Sequence, residues 1–314
     1  MSMTTANVSA AAMTFYKKRS QSFLRKKLYV QKLGTQEEID RYSGQVLSTW
    51  RPIPVAPQTT ALTEGTAPAD IAITTSTYMA TLQQWGAYVK ISDLLEVTGR
   101  SSMMDVATKV LGYNAALTLD TVTLNVILAA WTVLYANNKT AATIDAGDFI
   151  TAQQIRRIRK IFQAKDVMPG DDDLYNWIIH PDQAYDLDID DKVGGTLDVM
   201  RRAMGGDQSD GIWTGEITRL AGFRILSSSN IPMTQTQNGV TVYQSLAGGP
   251  DALLNVDVES MPFSLFVSPA TNVNAANPLG QVGTVGWKAT YAAADISDGI
   301  RGFVVQSAVS DQTF

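Results

Sequence analysis

The chain has no cysteine and only one histidine, His180, among its 314 residues. The first absence excludes disulfides and thiolate chemistry. The second excludes the usual multi-histidine zinc centres and would make any Ser-His-Asp arrangement depend on His180 alone. No G-x-x-x-x-G-K-[ST] phosphate loop is present, and Gly280, Gly283 and Gly286 of GQVGTVG are spaced wrongly for a dinucleotide fingerprint. Asp186, Asp188 and Asp190 imitate the start of an EF-hand loop, but Asp191 stands where glycine is needed and Leu197 where glutamate is needed. His180-Pro181-Asp182 matches a co-chaperone tripeptide, yet the apolar run WII precedes it where that motif needs a helix. The longest apolar run, Val122 to Ala136, is 15 residues and contains Asn125, short of the roughly 20 needed to span a bilayer. The start MSMTTANVSAAAMTFYKKRS lacks the basic-then-apolar order of a secretory signal. The expectation is a chain of a reducing cytoplasm with no catalytic constellation, cofactor, metal or membrane partner.

What is present is globular. Hydrophobic residues make up 45% and charged residues 18%, enough for a real core and, at this length, for two lobes. The net charge of −5 argues against a surface built throughout to grip nucleic acid. Two basic segments stand out. Lys17, Lys18, Arg19, Arg25, Lys26 and Lys27 fall within eleven residues with no acid among them, interleaved with Phe23 and Leu24. Thr151 to Lys165 carries Arg156, Arg157, Arg159 and Lys160 on a helix whose Ile155, Ile158 and Phe162 would face a core. Each segment reads either as a solvated face or as a contact with a partner or with DNA phosphates.

Between Thr63 and Val89 the only charges are Glu64 and Asp70. WRPIPVAP before this stretch opposes helix, GTAPAD is a turn signal, and Thr77 to Ile91 is β-prone. The reading is a long two-stranded hairpin ending at Ser92-Asp93, with strands reaching roughly 40–50 Å at 3.3 Å per residue. An isolated hairpin is marginal in water and an uncovered one aggregates, so this arm lies either on a sheet of its own domain or on something else. Ser102 and Asp105 then open a helix. Met103, Ala107, Val110, Asn114, Leu117, Thr121, Leu124, Leu128 and Trp131 mark its expected covered stripe, and Asn137-Asn138 its end. Tyr175 to Ile179 reads as a buried strand, residues 182–250 as irregular with a short strand from Gly222 to Ser227, and the chain from Gly283 as strands again. Segments on either side of the middle read as parts of one unit, so the expectation is a discontinuous domain with a second domain inserted.

Four stretches in order carry a family resemblance. LTEGTAPADIAITTSTYMATLQQWGAYVKISD (Leu62 to Asp93), WIIHPDQAYDLDID (Trp177 to Asp190), TGEITRLAGFRILSSSNIP (Thr214 to Pro232) and GQVGTVGWKATYAAADI (Gly280 to Ile296) resemble the signature of tailed-bacteriophage major capsid proteins, nearest the subgroup named for the podophage N-four. The resemblance implies an α+β fold of the Hong Kong 97 type. It assigns residues 1–50 to an N-terminal arm, 51–92 to an extended β-hairpin loop, 93–144 and 271–314 to a peripheral domain with a spine helix, and 145–270 to an axial domain. It implies a virion subunit, made and assembled in the host cytoplasm, that forms pentamers and hexamers around packaged double-stranded DNA. A separate scaffolding protein, a portal and a decoration protein are the further partners it suggests. Glu64, Asp70, Ile71, Ile73, Tyr78, Leu82, Trp85 and Tyr88 would make the inter-subunit contact. No lysine lies between Lys32 and Lys90, so the crosslink that the prototype makes from its loop is not expected. An encapsulin-like shell and a nucleic-acid-binding protein are the alternatives.

Overall fold

A computed structural model describes residues 29–310 apart from 41, 63, 66–69, 100–101, 171, 191–194, 196–219, 236–238, 259–262 and 272–276. The basic cluster Lys17 to Lys27 and most of the expected turn at 65–70 lie outside the described residues. In chain order the strands are β1 (Gly34–Ile39), β2 (Val46–Pro52), β3 (Thr75–Thr81), β4 (Gln83–Ser92), β5 (Thr132–Tyr135), β6 (Tyr175–Ile179), β7 (Phe223–Ser227), β8 (Met233–Gln235), β9 (Thr241–Gly248), β10 (Leu253–Val258), β11 (Phe263–Ser268), β12 (Val282–Asp295) and β13 (Gly302–Ser307). The α-helices are α1 (Asp93–Thr98), α2 (Met103–Ala130), α3 (Ala152–Ala164) and α4 (Pro181–Asp188).

Two sheets organise the fold. The first runs β1-β10-β12-β11, with β4 also on β12; the second runs β5-β13-β9-β6-β7, with β8 also on β9. The α2 helix packs its Leu111, Ala115 and Leu119 on the first sheet, against Val285, Trp287 and Tyr291 of β12. The α3 helix covers the second sheet with Ile155, Ile158 and Phe162. Phe162 stands 4.9 Å from the Tyr175 ring, and Trp177 meets Phe223 edge-on at 5.2 Å. The chain changes sheet between β9 and β10 and again between β12 and β13. The boundary expected at 270/271 therefore falls at neither change: β10 and β11 join the first sheet, and β13 returns to the second. The boundary expected at 50/51 cuts through β2.

Local signals place the start of α2 well. The Ser102 hydroxyl accepts the Asp105 N–H at 3.4 Å, and the Glu96 carboxylate from α1 accepts the N–H groups of Met103 (2.9 Å) and Met104 (3.2 Å), filling donors that a helix start leaves open. The end and the covered face differ from expectation. The helix stops at Ala130, because Thr132 to Tyr135, rich in β-branched and aromatic residues, pair in parallel with Phe303 to Gln306. The buried side is Thr108, Leu111, Gly112, Ala115, Ala116, Leu119, Thr123, Leu124 and Ile127, whereas Val110 is 58% exposed and Leu117 38%. The period was right and the phase was not. Small residues let the helix approach the sheet closely, and the buried threonines return their hydroxyls to the helix, Thr108 to the Met104 carbonyl at 2.8 Å. By length and composition α2 could cross a membrane, but half of its most apolar window is buried inside the fold.

Residues 181–188 also differ: they form a helix, not irregular chain. Its start was written in the sequence as His-Pro-Asp-Gln. His180 Nδ1 accepts the Asp182 N–H at 3.3 Å, the Gln183 side chain accepts the His180 N–H at 3.1 Å, and Pro181 takes the first turn. The carboxylates serve the backbone: Asp186 accepts the Ser310 N–H at 3.1 Å and Asp190 the Ala152 N–H at 3.2 Å. His180 stacks on Tyr243 at 4.1 Å, and burial holds its pKa below the usual value against the pull of Asp182.

One half-buried carboxylate makes the fold sensitive to pH. Burial, and then the charge of Glu38, push Asp257 up to about 6; the two are register partners on the parallel strands β10 and β1. A carboxylate with a raised folded-state pKa is favoured in its protonated form, so its contribution is present below about pH 4 and is lost as pH rises through about 6. Asp257→Asn is expected to stabilise the subunit at pH 7.5 by about 1–2 kcal/mol, after allowance for partial solvent access. It should also flatten the melting temperature between pH 4 and 7. An unchanged pH profile in thermal melts would contradict this.

Candidate assembly surface

The weakly charged stretch folds differently from a self-contained hairpin. β3 pairs antiparallel with β2, from Val46↔Thr81 to Pro52↔Thr75. The ladder continues at both ends through the Leu82 N–H to the Gln45 carbonyl and the Ile53 N–H to the Thr74 carbonyl, each 2.9 Å. The segment expected as one strand, Thr77 to Ile91, divides at Leu82. That side chain is 5% exposed among Ile39, Ala80, Leu254 and Val256, so the chain bends there, leaves β2 and continues as β4 along β12. The result is a seven-residue ladder of roughly 20 Å, carrying the connection between Ile53 and Thr74.

The two faces of the ladder differ because strand side chains alternate. The inner face holds Leu47, Thr49 and Arg51 against Ala80, Tyr78 and Ser76. The outer face holds Val46, Ser48, Trp50 and Pro52 beside Thr81, Met79, Thr77 and Thr75, and carries no charge. Trp50 is 66% exposed and Met79 68%. Leu62, Ile71 and Ile73 in the connection are exposed as well. Such a concentration of exposed apolar side chains on one element makes it the candidate interaction surface.

A latch fixes the base of this arm. Arg51, the only cation between Val46 and Thr81, turns inward. Its guanidinium donates to the carbonyls of Ile296 (2.8 Å) and Asp251 (3.2 Å) and pairs with the Asp298 carboxylate at 3.4 Å. The Tyr78 hydroxyl donates to the same carboxylate, and burial followed by Asp298 raises its pKa. One acid thus ties both strands of the ladder to the turn after β12.

The expected contact residues separate accordingly. Ile71, Ile73 and Tyr88 are exposed, as are Glu64 and Asp70. Leu82 is buried in its own subunit. Tyr78 is held in the latch, and Trp85 packs on the cluster under α2 with its indole N–H donating to the Tyr291 carbonyl at 3.3 Å. Those three serve the subunit's interior. Val46, Trp50 and Met79 are exposed as well, and alternation along residues 46–52, once that segment is read as the partner strand, marks them as further candidates. Of the basic helix, Arg156, Arg159 and Lys160 are exposed and Arg157 is half-buried. Arg159 bounds a hollow with Asp166, Asp173 and Gly222, whose acids make it a poor phosphate site.

A family model described as phage capsid protein matches residues 75–305. The fold is similar to the capsid of Ralstonia phage GP4, at 12% identity with a TM-score of 0.73, covering 92% of this chain and 93% of that one. It is also similar to the capsid of cyanophage P-SCSP1u, at 16% identity and 0.64, covering 90% and 89%. A third is the capsid of cyanophage Pam1, at 12% and 0.64, covering 90% and 94%. No curated protein sequence matches the chain.

Proposed function

The chain belongs to the phage capsid protein family, and from that membership we propose that its outward, uncharged arm face is what joins copies of it into the closed head. The observation that carries this reading is the arm itself, an exposed apolar face on a ladder latched at its base to the subunit. Each copy lays Trp50, Met79, Ile71 and Ile73 on a neighbour, and Tyr88 adds to the contact from β4. A head-to-tail contact of this kind closes into rings, here pentamers and hexamers around packaged double-stranded DNA. A face without charge suits a place where many identical copies meet, since it brings no like-charge repulsion. The order of the four sequence motifs supports kinship nearest the N-four subgroup. In the terms of that family, the first sheet with α2 is the peripheral domain and α2 its spine helix, the second sheet with α3 the axial domain, and the span from β2 to β3 the extended loop. A scaffolding protein, a portal and a decoration protein are the further partners, and Lys17 to Lys27 with Arg156, Arg159 and Lys160 the residues for loose contact with DNA or with neighbours.

Purified full-length protein is expected to form large closed particles in sedimentation and negative-stain microscopy. A monomer at all concentrations, binding DNA with a steep salt dependence, would overturn the reading. The hold is non-covalent, because the arm offers no amine. Particles boiled in detergent should therefore run as one band near 34.0 kDa, and a ladder of heavier bands would refute that.

A further inference from the structure

Apolar side chains are also uncovered at the end of the first sheet away from the arm. The helix α1 has six residues and none is buried, although Leu94, Leu95 and Val97 are half of it. Leu94 is 69% exposed and Val97 83%. A helix this short is not stable alone, and its polar groups hold it in place. The Ser92 hydroxyl accepts the Leu95 N–H at 3.3 Å, and the Asp93 N–H donates to the Gln281 carbonyl at 2.9 Å. Both of its carboxylates accept from backbone: Asp93 takes the Leu94 N–H at 2.7 Å, and Glu96 serves the start of α2. The bond to Gln281 sets α1 beside the start of β12, where Leu279 is 78% exposed and Val282 is exposed as well. The fold of one subunit leaves all of these apolar side chains in solvent.

The position of the patch decides what it can do. β4 and β12 pair over ten residues, from Gln83↔Tyr291 to Ser92↔Val282, a length of about 30 Å. The arm is latched at Ile296 and Asp298, beyond one end of this pair, and α1 lies at the other. The two apolar surfaces therefore sit at opposite ends of the sheet and suit different contacts. If the arm contact closes each ring on itself, as the proposed function holds, no arm site is left free in a finished ring. A head then needs a second contact that joins ring to ring. We propose that α1, with Leu279 and Val282, is that contact, and that it meets the same patch on a copy in the adjoining ring. Its apolar members can face their own copies without like-charge repulsion, as a two-fold contact between identical surfaces requires.

In the full-length protein, Leu94→Asp combined with Val97→Asp is expected to leave free pentamers and hexamers in sedimentation. The yield of closed particles should fall about a hundredfold or more, because unpaired carboxylates enter every ring-to-ring contact. The melting temperature of the subunit should not change, since neither side chain is buried. Rings without shells support the proposal. Shells at the parent's yield would show that α1 faces solvent or another protein, and single subunits would show that it acts within the ring; either result overturns it. The chain has no native cysteine, so Val97→Cys gives a second measurement. Particles of this variant treated with a short bis-maleimide should yield covalent dimers, and monomers alone would overturn the pairing of like patches. A parent protein that forms no closed particles overturns the shell reading and this contact together, whereas normal shells from the aspartate variant overturn this contact alone.

Discussion

Replacing both Trp50 and Met79 with aspartate is expected to give a folded subunit that forms no closed particles. Both side chains are mostly exposed within the subunit and belong to no core cluster among the described residues, so each change should move the folding free energy by no more than about 0.5 kcal/mol. Their effect on association is of another size. A tryptophan buries about 150–250 Å², which at 25 cal/mol per Å² is worth about 4–6 kcal/mol if a neighbour covers it fully. The substitutions also place two unpaired carboxylates in the contact, each costing several kcal/mol to desolvate. Since about 1.4 kcal/mol is a factor of ten in affinity, each contact should weaken by several orders of magnitude, and a shell repeats that loss at every subunit. Melting curves and far-ultraviolet circular dichroism should match the parent, while sedimentation shows only small species. Trp50→Phe with Met79→Leu, which keeps the apolar face, should still assemble. Normal shells from the aspartate variant would remove this face as an interface.

How much of this could be read from the sequence depends on how local the cause is. The start of α2, the core face of α3 and the strand Tyr175–Ile179 were legible because each is announced within a few residues, by a cap, a 3.6 period or an apolar run. The end of α2 was not, since the strand that claims Thr132 to Tyr135 lies about 170 residues on. The partner of β3 was missed for a similar reason: β2 lies across a connection of 22 residues, and the prolines of that connection drew attention from the alternation just before it. At the candidate surface, apolar character alone ranked Leu82 and Trp85 with Ile71 and Ile73. Only the bend at Leu82 shows which of them the subunit keeps for itself. The family motifs supplied the fold class because they summarise long-range pairing that no single-segment pattern contains.

The second large effect is expected at the junction of the two sheets, where Gly302→Ala should destabilise the subunit by about 2–4 kcal/mol. Trp131 ends α2, and its indole lies over the strand pair β9–β13 where Gly248 and Gly302 are register partners. A Cβ at position 302 would come within 2.4–2.6 Å of three indole atoms, and one at 248 within 2.9 Å of the ring edge. The indole has little room to retreat. It is 4% exposed, and its N–H donates to Asp295 at 2.9 Å, at the end of β12. One side chain therefore joins the long helix, the last strand of the first sheet and the middle of the second. Adding a methyl group must either displace the ring and break the Asp295 bond or push β13 off β9. Overpacking alone costs about 1–3 kcal/mol, and a lost bond to a carboxylate adds to it. Gly248→Ala, with its longer approach, should cost less. The ring is the obstacle, so Trp131→Leu in the Gly302→Ala background should be less destabilising than the sum of the single changes by 1 kcal/mol or more. Denaturant titrations of the four proteins decide it: strict additivity would show that the glycine pair does not seat the indole.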